Sequence, residues 1–163
     1  MKKKINSKGK GNRAELELAK LLTRKFGAPF ARVGVSSGAR PKQVKLDGQA
    51  TETFTGDLIV PEGFRFSVEC KAVNKDVDLL AESALLDKFL HQAATDAESI
   101  GKIPLLCWKR NRKGWIVAVP TWAYRQYGER PLYYVKYTGW IIAKLDVLLP
   151  EDKPYCYEFW FGK

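Results

Sequence analysis

The chain has 163 residues, 45% of them hydrophobic, which suits one compact domain spanning residues 1–163 with a real core. Its formal net charge of +10 points to a polyanionic partner, most simply nucleic acid. One histidine, His91, and three cysteines without a C-x-x-C pair (Cys70, Cys107 and Cys156) exclude most zinc sites, a Ser-His-Asp triad and a disulfide framework.

In chain order, residues 1–12 carry Lys2, Lys3, Lys4, Lys8 and Lys10 with Gly9 and Gly11 among them. They read as a flexible basic arm, either contacting phosphates or serving as a solvated tail. No apolar stretch follows this basic start, and no apolar run approaches the roughly 18–20 residues that cross a bilayer. The expectation is a soluble, cytoplasmic protein with no membrane partner.

Residues 12–27 have helical spacing, with Leu18, Leu21, Leu22 and Phe26 three and four apart, Asn12 as the cap and Gly27 as the stop. Residues 30–35 read as a short strand. Residues 38–56 form a long polar loop with no period, of the kind that is functional or disordered. Residues 57–60 and 64–73 read as two strands joined at Pro61-Glu62-Gly63 into a hairpin. A helix follows over 79–100, with Leu85, Leu86, Phe89, Leu90, Ala93 and Ala97 as its stripe and Gly101 at its end. Residues 103–109 and 115–119 form another strand pair. The extension over 120–163 is rich in aromatic residues and is expected to hold two or three more strands. The order implies an α/β sandwich around a central mixed sheet.

The chemistry concentrates in Gly56-Asp57 and in Glu69-Cys70-Lys71. Alternate residues of a strand share a face. Phe64, Phe66, Val68 and Cys70 therefore point into apolar packing, and Arg65, Ser67, Glu69 and Lys71 point the other way. Asp57 opens the partner strand, where it can meet Glu69. Two carboxylates about 4 Å apart repel by roughly 4 kcal/mol at an effective dielectric near 20, so the pair needs a cation or a raised pKa. Hard oxygen ligands suit Mg²⁺, with Mn²⁺ as a substitute. Such a metal polarises a phosphodiester and activates water, and Lys71 can orient that water or offset developing charge. An E-x-K triplet is common, and these residues also fit an ordinary cross-strand ion pair. Glu15 lies on the inward stripe with Leu18, Leu22 and Phe26. A carboxylate there wants a compensating partner, although helix-dipole stabilisation also accounts for an acid in a first turn.

The run from Lys8 to Leu18, with Arg13-Ala14-Glu15 at its centre, then Arg32-Val33, Ser36-Ser37-Gly38, Asp57 and Glu69-Cys70-Lys71, resembles the archaeal and phage Holliday-junction resolvases of the PD-(D/E)XK superfamily. The resemblance covers residues 8–119, with Gln92 continuing it. It implies a restriction-endonuclease-like α-β-β-β-α-β core with a mixed sheet flanked by helices, followed by an aromatic-rich β extension. It implies that Asp57, Glu69, the Cys70 backbone carbonyl and Glu15, the last through water, serve a metal site beside Lys71. It implies that Arg13, Arg32 and Ser37 lie near the scissile phosphate or the DNA backbone; Lys8, Lys10, Ser36, Arg40, Lys42 and Gln92 are expected as further DNA contacts. It also implies a homodimer that cuts opposed strands of a four-way DNA junction. Gly56 stands where the motif name has proline, and the stretch from Ser37 to Asp57 is longer than in the compact archaeal enzymes. An endonuclease acting on other DNA, of restriction or repair type, and a non-catalytic DNA-binding module are the alternatives. The aromatic extension, with Tyr133, Tyr137, Trp140, Trp160 and Phe161, either supplies the dimer surface or completes the monomer core.

Overall fold

The computed structural model describes residues 7–33, 53–73, 83–110, 114–127, 133–149 and 157–162. Helix α1 spans Ser7–Phe26 and begins five residues before the expected start at Asn12. Once Ala14, Leu18, Ala19 and Leu22 are buried against the sheet, each further turn costs little, so Gly9 and Gly11 do not stop the helix. The expected arm over 1–12 is therefore helical from Ser7 onward. Gly27, at φ +64°, ends the helix as expected.

Strand β1 is Ala31–Arg32, two residues of the segment expected over 30–35. The long loop yields a further strand, β2, at Thr53–Thr55. Three residues of strand are too few to show an alternating pattern within a polar stretch. β3, Leu58–Val60, lies between β1 and β2 in a small antiparallel sheet.

β4, Phe66–Val73, belongs to a different sheet, which corrects the hairpin expected of 57–60 and 64–73. A turn closed by Phe64 N–H on the Pro61 carbonyl (3.1 Å) releases the chain, and Arg65 N–H bonds the Trp160 carbonyl at 2.8 Å. β4 then pairs in parallel with β5, Ile103–Arg110, in the register Glu69 to Leu106 and Cys70 to Cys107. β6, Trp115–Pro120, pairs antiparallel with β5, as expected. The order of this mixed sheet is β4-β5-β6-β8-β7, so β4 is its edge.

Helix α2, Ala84–Glu98, begins after Ser83 and ends two residues before the expected 100, while residues 79–82 of the expected helix lie outside the described residues. Ser83 caps it, its hydroxyl accepting from Leu86 N–H at 3.2 Å. Leu86, Leu90, Ala93 and Ala97 face the sheet, whereas Leu85 is exposed. The two long helices cover opposite faces. α1 packs on the core that holds Phe66, Val68, Cys70, Val117 and Val119. α2 packs on Val73, Leu106, Trp108, Ala118 and Ile142.

After residue 120 the described residues contain two strands, β7 (Val135–Tyr137) and β8 (Trp140–Lys144). They also contain short helices α3 (Thr121–Tyr124), α4 (Leu145–Leu148) and α5 (Tyr157–Phe161), and a 3-10 turn at Arg125–Tyr127. α5 delivers Phe159, Trp160 and Phe161 into the α1-side core. There Trp160 lies parallel to Phe64 and tilted against Phe66, with centroids 6.1 and 4.8 Å apart. Trp160 and Phe161 thus complete the monomer core and are not free to form a dimer surface, whereas Tyr133 is 77% exposed. No helix among the described residues is long and apolar enough to cross a membrane.

Candidate active site

The alternation expected of β4 holds. Phe66, Val68 and Cys70 enter the α1-side core. On the other face Ser67 and Glu69 are each only 3% exposed, although one is polar and the other ionisable. A buried carboxyl needs a partner, and Lys71 Nζ donates to Glu69 Oε1. Lys71 is itself held from above by α2, with Nζ 5.6 Å from the centre of the Phe89 ring.

Asp57 reaches the same strand from the small sheet. Gly56 bridges Val68 across the gap between the two sheets. Its φ is +65°, and a Cβ there would lie 2.3 Å from the Val68 carbonyl oxygen. Proline, fixed near φ −65°, cannot adopt that conformation, so glycine holds the position before the acid. Asp57 N–H then bonds the Val68 carbonyl at 2.9 Å, and its Oδ2 accepts from Cys70 N–H at 2.8 Å. The Asp57 carboxylate is thereby fixed at the free edge of β4, on the backbone of the residue between Glu69 and Lys71.

The charges at this edge do not balance. Burial pushes Glu69 up to about 7; the nearby Asp57 adds to the rise, and the charge and hydrogen bond of Lys71 oppose it. Burial also raises Asp57, against the lowering effects of the Cys70 N–H and Lys71, while Glu15 and Asp96 push it further up. The buried Glu69 and the half-buried Asp57 thus share one ammonium, which is the condition that favours a bound cation. Asp57 Oδ1 and Glu69 Oε2 carry no protein hydrogen bond among the described residues. Hard oxygens of this kind fit Mg²⁺ or Mn²⁺. No group of three His, Cys, Asp or Glu side chains among the described residues gathers as a metal cage, so backbone oxygen and water would complete the shell.

The remaining expected residues divide. Glu15 does stand near the acid pair, but its Oε2 accepts from Arg32 Nε at 2.7 Å. Arg32 Nη2 donates to Asn12 Oδ1 at 2.8 Å. Arg13 is exposed on α1, Lys10 is half-buried there, and Gln92 is exposed on α2. Lys8 lies in α1, with its side chain outside the described residues. Ser36, Ser37, Arg40 and Lys42 also lie outside them. Two neighbours were not foreseen from sequence. Asp96 bears on both acids from α2, and its signal was the seven-residue spacing from Phe89, which puts both on one helix face. Asn12 shares a face with Glu15, which is visible only once the helix is known to begin before it.

Among solved structures, the chain is similar to a 1.6 Å structure of Archaeoglobus fulgidus Hjc, a Holliday junction resolvase from an archaeal hyperthermophile. The identity is 19% over 83% of this chain and 88% of that one, with a TM-score of 0.41. No curated protein sequence matches. A family model described as "Phage putative PDDEXK endonuclease" matches residues 6–151, a span that takes in α1, both sheets, Asp57, Glu69 and Lys71. That span is most of the chain, and the protein belongs to this family of PD-(D/E)XK nucleases.

Proposed function

We propose that the protein is a metal-dependent DNA endonuclease that cuts four-way junctions by phosphodiester hydrolysis. The observation that carries the hydrolytic reading is the pair of a buried Glu69 and a half-buried Asp57 at the edge of β4, sharing Lys71 as their cation. Asp57 Oδ1, Glu69 Oε2 and the Cys70 carbonyl are the protein oxygens that would hold Mg²⁺, with Mn²⁺ able to replace it. When bound, the ion polarises the phosphodiester and lowers the pKa of the attacking water. Lys71 orients that water from the Glu69 side and offsets negative charge as it develops on the phosphate. The Cys70 N–H aims Asp57 and favours its charged form against the cost of its burial. Lys10, Arg13, Arg32 and Gln92 contact DNA around this edge, joined by Lys8, Ser36, Ser37, Arg40 and Lys42.

The choice of a four-way junction rests on the sequence resemblance of residues 8–119, above all on Arg13-Ala14-Glu15 and on Arg32, which pairs with Glu15. One active site per chain calls for two chains to make paired cuts at symmetric positions, hence a homodimer. The long stretch between Ser37 and Asp57 favours a second reading, an endonuclease acting on duplex DNA. Labelled four-way junctions, duplexes, flaps and single strands incubated with Mg²⁺ or EDTA separate the two. Metal-dependent paired cuts confined to junctions are expected. Equal cleavage of a duplex of the same sequence overturns the junction reading, and no cleavage of any DNA overturns the enzyme.

A further inference from the structure

Asn12 is a poor residue for the place it occupies. It is the sixth residue of α1, past the first-turn N–H groups that an asparagine side chain could cap, and asparagine competes with the backbone inside a helix. Its side chain leaves the helix instead and accepts from Arg32 Nη2 at 2.8 Å. Glu15, three residues on and on the same helix face, accepts from Arg32 Nε at 2.7 Å. Two acceptors on one rigid helix therefore fix the plane of a guanidinium that hangs from a two-residue strand. Arg32 Nη1 donates to nothing among the described residues, and the side chain is 29% exposed. Arg32 pairs in register with Leu58, and the next residue, Val33, donates its N–H to the Asp57 carbonyl at 3.2 Å. The backbone that bears Arg32 thus runs beside the segment that carries Asp57.

We infer that Asn12 and Glu15 are positioning residues, which hold Arg32 as a preorganised clamp for a DNA phosphate flanking the cut. Glu15 acts through Arg32: its negative charge weakens attraction for DNA slightly, and the orientation it imposes on a planar donor more than offsets that. A guanidinium tied at two nitrogens has little freedom left to lose when a phosphate oxygen arrives at the third. This inference rests on the endonuclease reading, because it takes DNA to be the ligand.

The test uses a neutral side chain to change an electrostatic quantity. Binding of a labelled four-way junction is measured in EDTA, without cleavage, between about 50 and 200 mM salt, for the wild type, Asn12→Ala, Arg32→Ala and the double variant. Alanine is the better helix former, so Asn12→Ala leaves α1 folded, and its circular dichroism and melting point serve as the control. Asn12→Ala is expected to weaken binding about 5-fold and to flatten the slope of log K against log salt by up to about 0.9, the share of one phosphate contact. Arg32→Ala should do the same, and the double variant should bind no more weakly than Arg32→Ala alone. An unchanged salt slope in Asn12→Ala, or losses that multiply in the double variant, overturns the clamp while the endonuclease reading stands. A wild-type protein that binds no DNA overturns both.

Discussion

Removing the charge of Glu69 isolates what its burial costs. The carboxyl is 3% exposed and its pKa rises on folding from 4.5 to about 7, first through burial and then through Asp57. A group whose pKa is raised binds its proton more tightly in the folded chain. Its contribution to stability is therefore complete below the unfolded value and is lost as pH rises through the folded one. At about 1.36 kcal/mol for each pH unit, this gap amounts to about 3 kcal/mol between pH 4.5 and pH 8. For a domain of this size that is a fall in Tm of roughly 6–12 °C. Glu69→Gln stays neutral over the whole range and keeps an oxygen for Lys71. In EDTA, urea unfolding of the wild type and of Glu69→Gln should give similar stabilities at pH 4.5. The wild type should then fall behind by about 3 kcal/mol as the pH approaches 8. Millimolar Mg²⁺ should restore the wild type at pH 8 and leave Glu69→Gln nearly unchanged, because a cation bound only by the folded state stabilises it. Stability curves that remain parallel from pH 4.5 to pH 8 would refute the reasoning, since they would mean that Glu69 is ionised at no cost.

Asp57→Asn should abolish cleavage in Mg²⁺, as read by gel assay, while DNA affinity stays within a few-fold of wild type; normal cutting would remove Asp57 from the site. Lys71→Ala should slow cleavage by about 10²–10³-fold yet leave Mn²⁺ binding measurable by calorimetry; normal turnover would reduce Lys71 to an ion-pair partner of Glu69. Gly56→Ala forces a Cβ to within 2.3 Å of the Val68 carbonyl oxygen at φ +65°, so it should cost at least about 2 kcal/mol in urea unfolding. Activity should fall with it as Asp57 loses its anchor on β4, and a variant as stable as wild type would show that this close approach is absent in solution. Trp160→Ala should cost about 3–5 kcal/mol of stability without changing the mass seen by light scattering. A monomer produced by that substitution at unchanged stability would return Trp160 to the dimer surface.

The arrangement of the candidate site residues on β4 was legible in the sequence because strand alternation is a local rule. One period-two reading of residues 64–71 put Glu69 and Lys71 on one face and Phe66, Val68 and Cys70 on the other, and the fold keeps both sets. The spacing of Leu18 and Leu22 likewise fixed the inner face of α1 before any tertiary contact was known. What the sequence could not reveal depends on contacts between distant segments. Whether 57–60 pairs with 64–73 is decided by β5, which claims one side of β4 in parallel, and by Gly56, which touches Val68 and then leads into another sheet. The start of α1 was hidden because two glycines argue locally for a break, while packing of the same helix's far half carries it through them. Asn12 therefore looked like a cap when it is a partner of Arg32, twenty residues away in sequence. By composition the aromatic extension called for burial of some of its rings, in the core or between chains, and Tyr133 and Trp122 nonetheless stay exposed. Only the tertiary structure decided that α5 spends Trp160 and Phe161 on the core shared with Phe64 and Phe66, since an apolar ring buries equally well within a chain or between two.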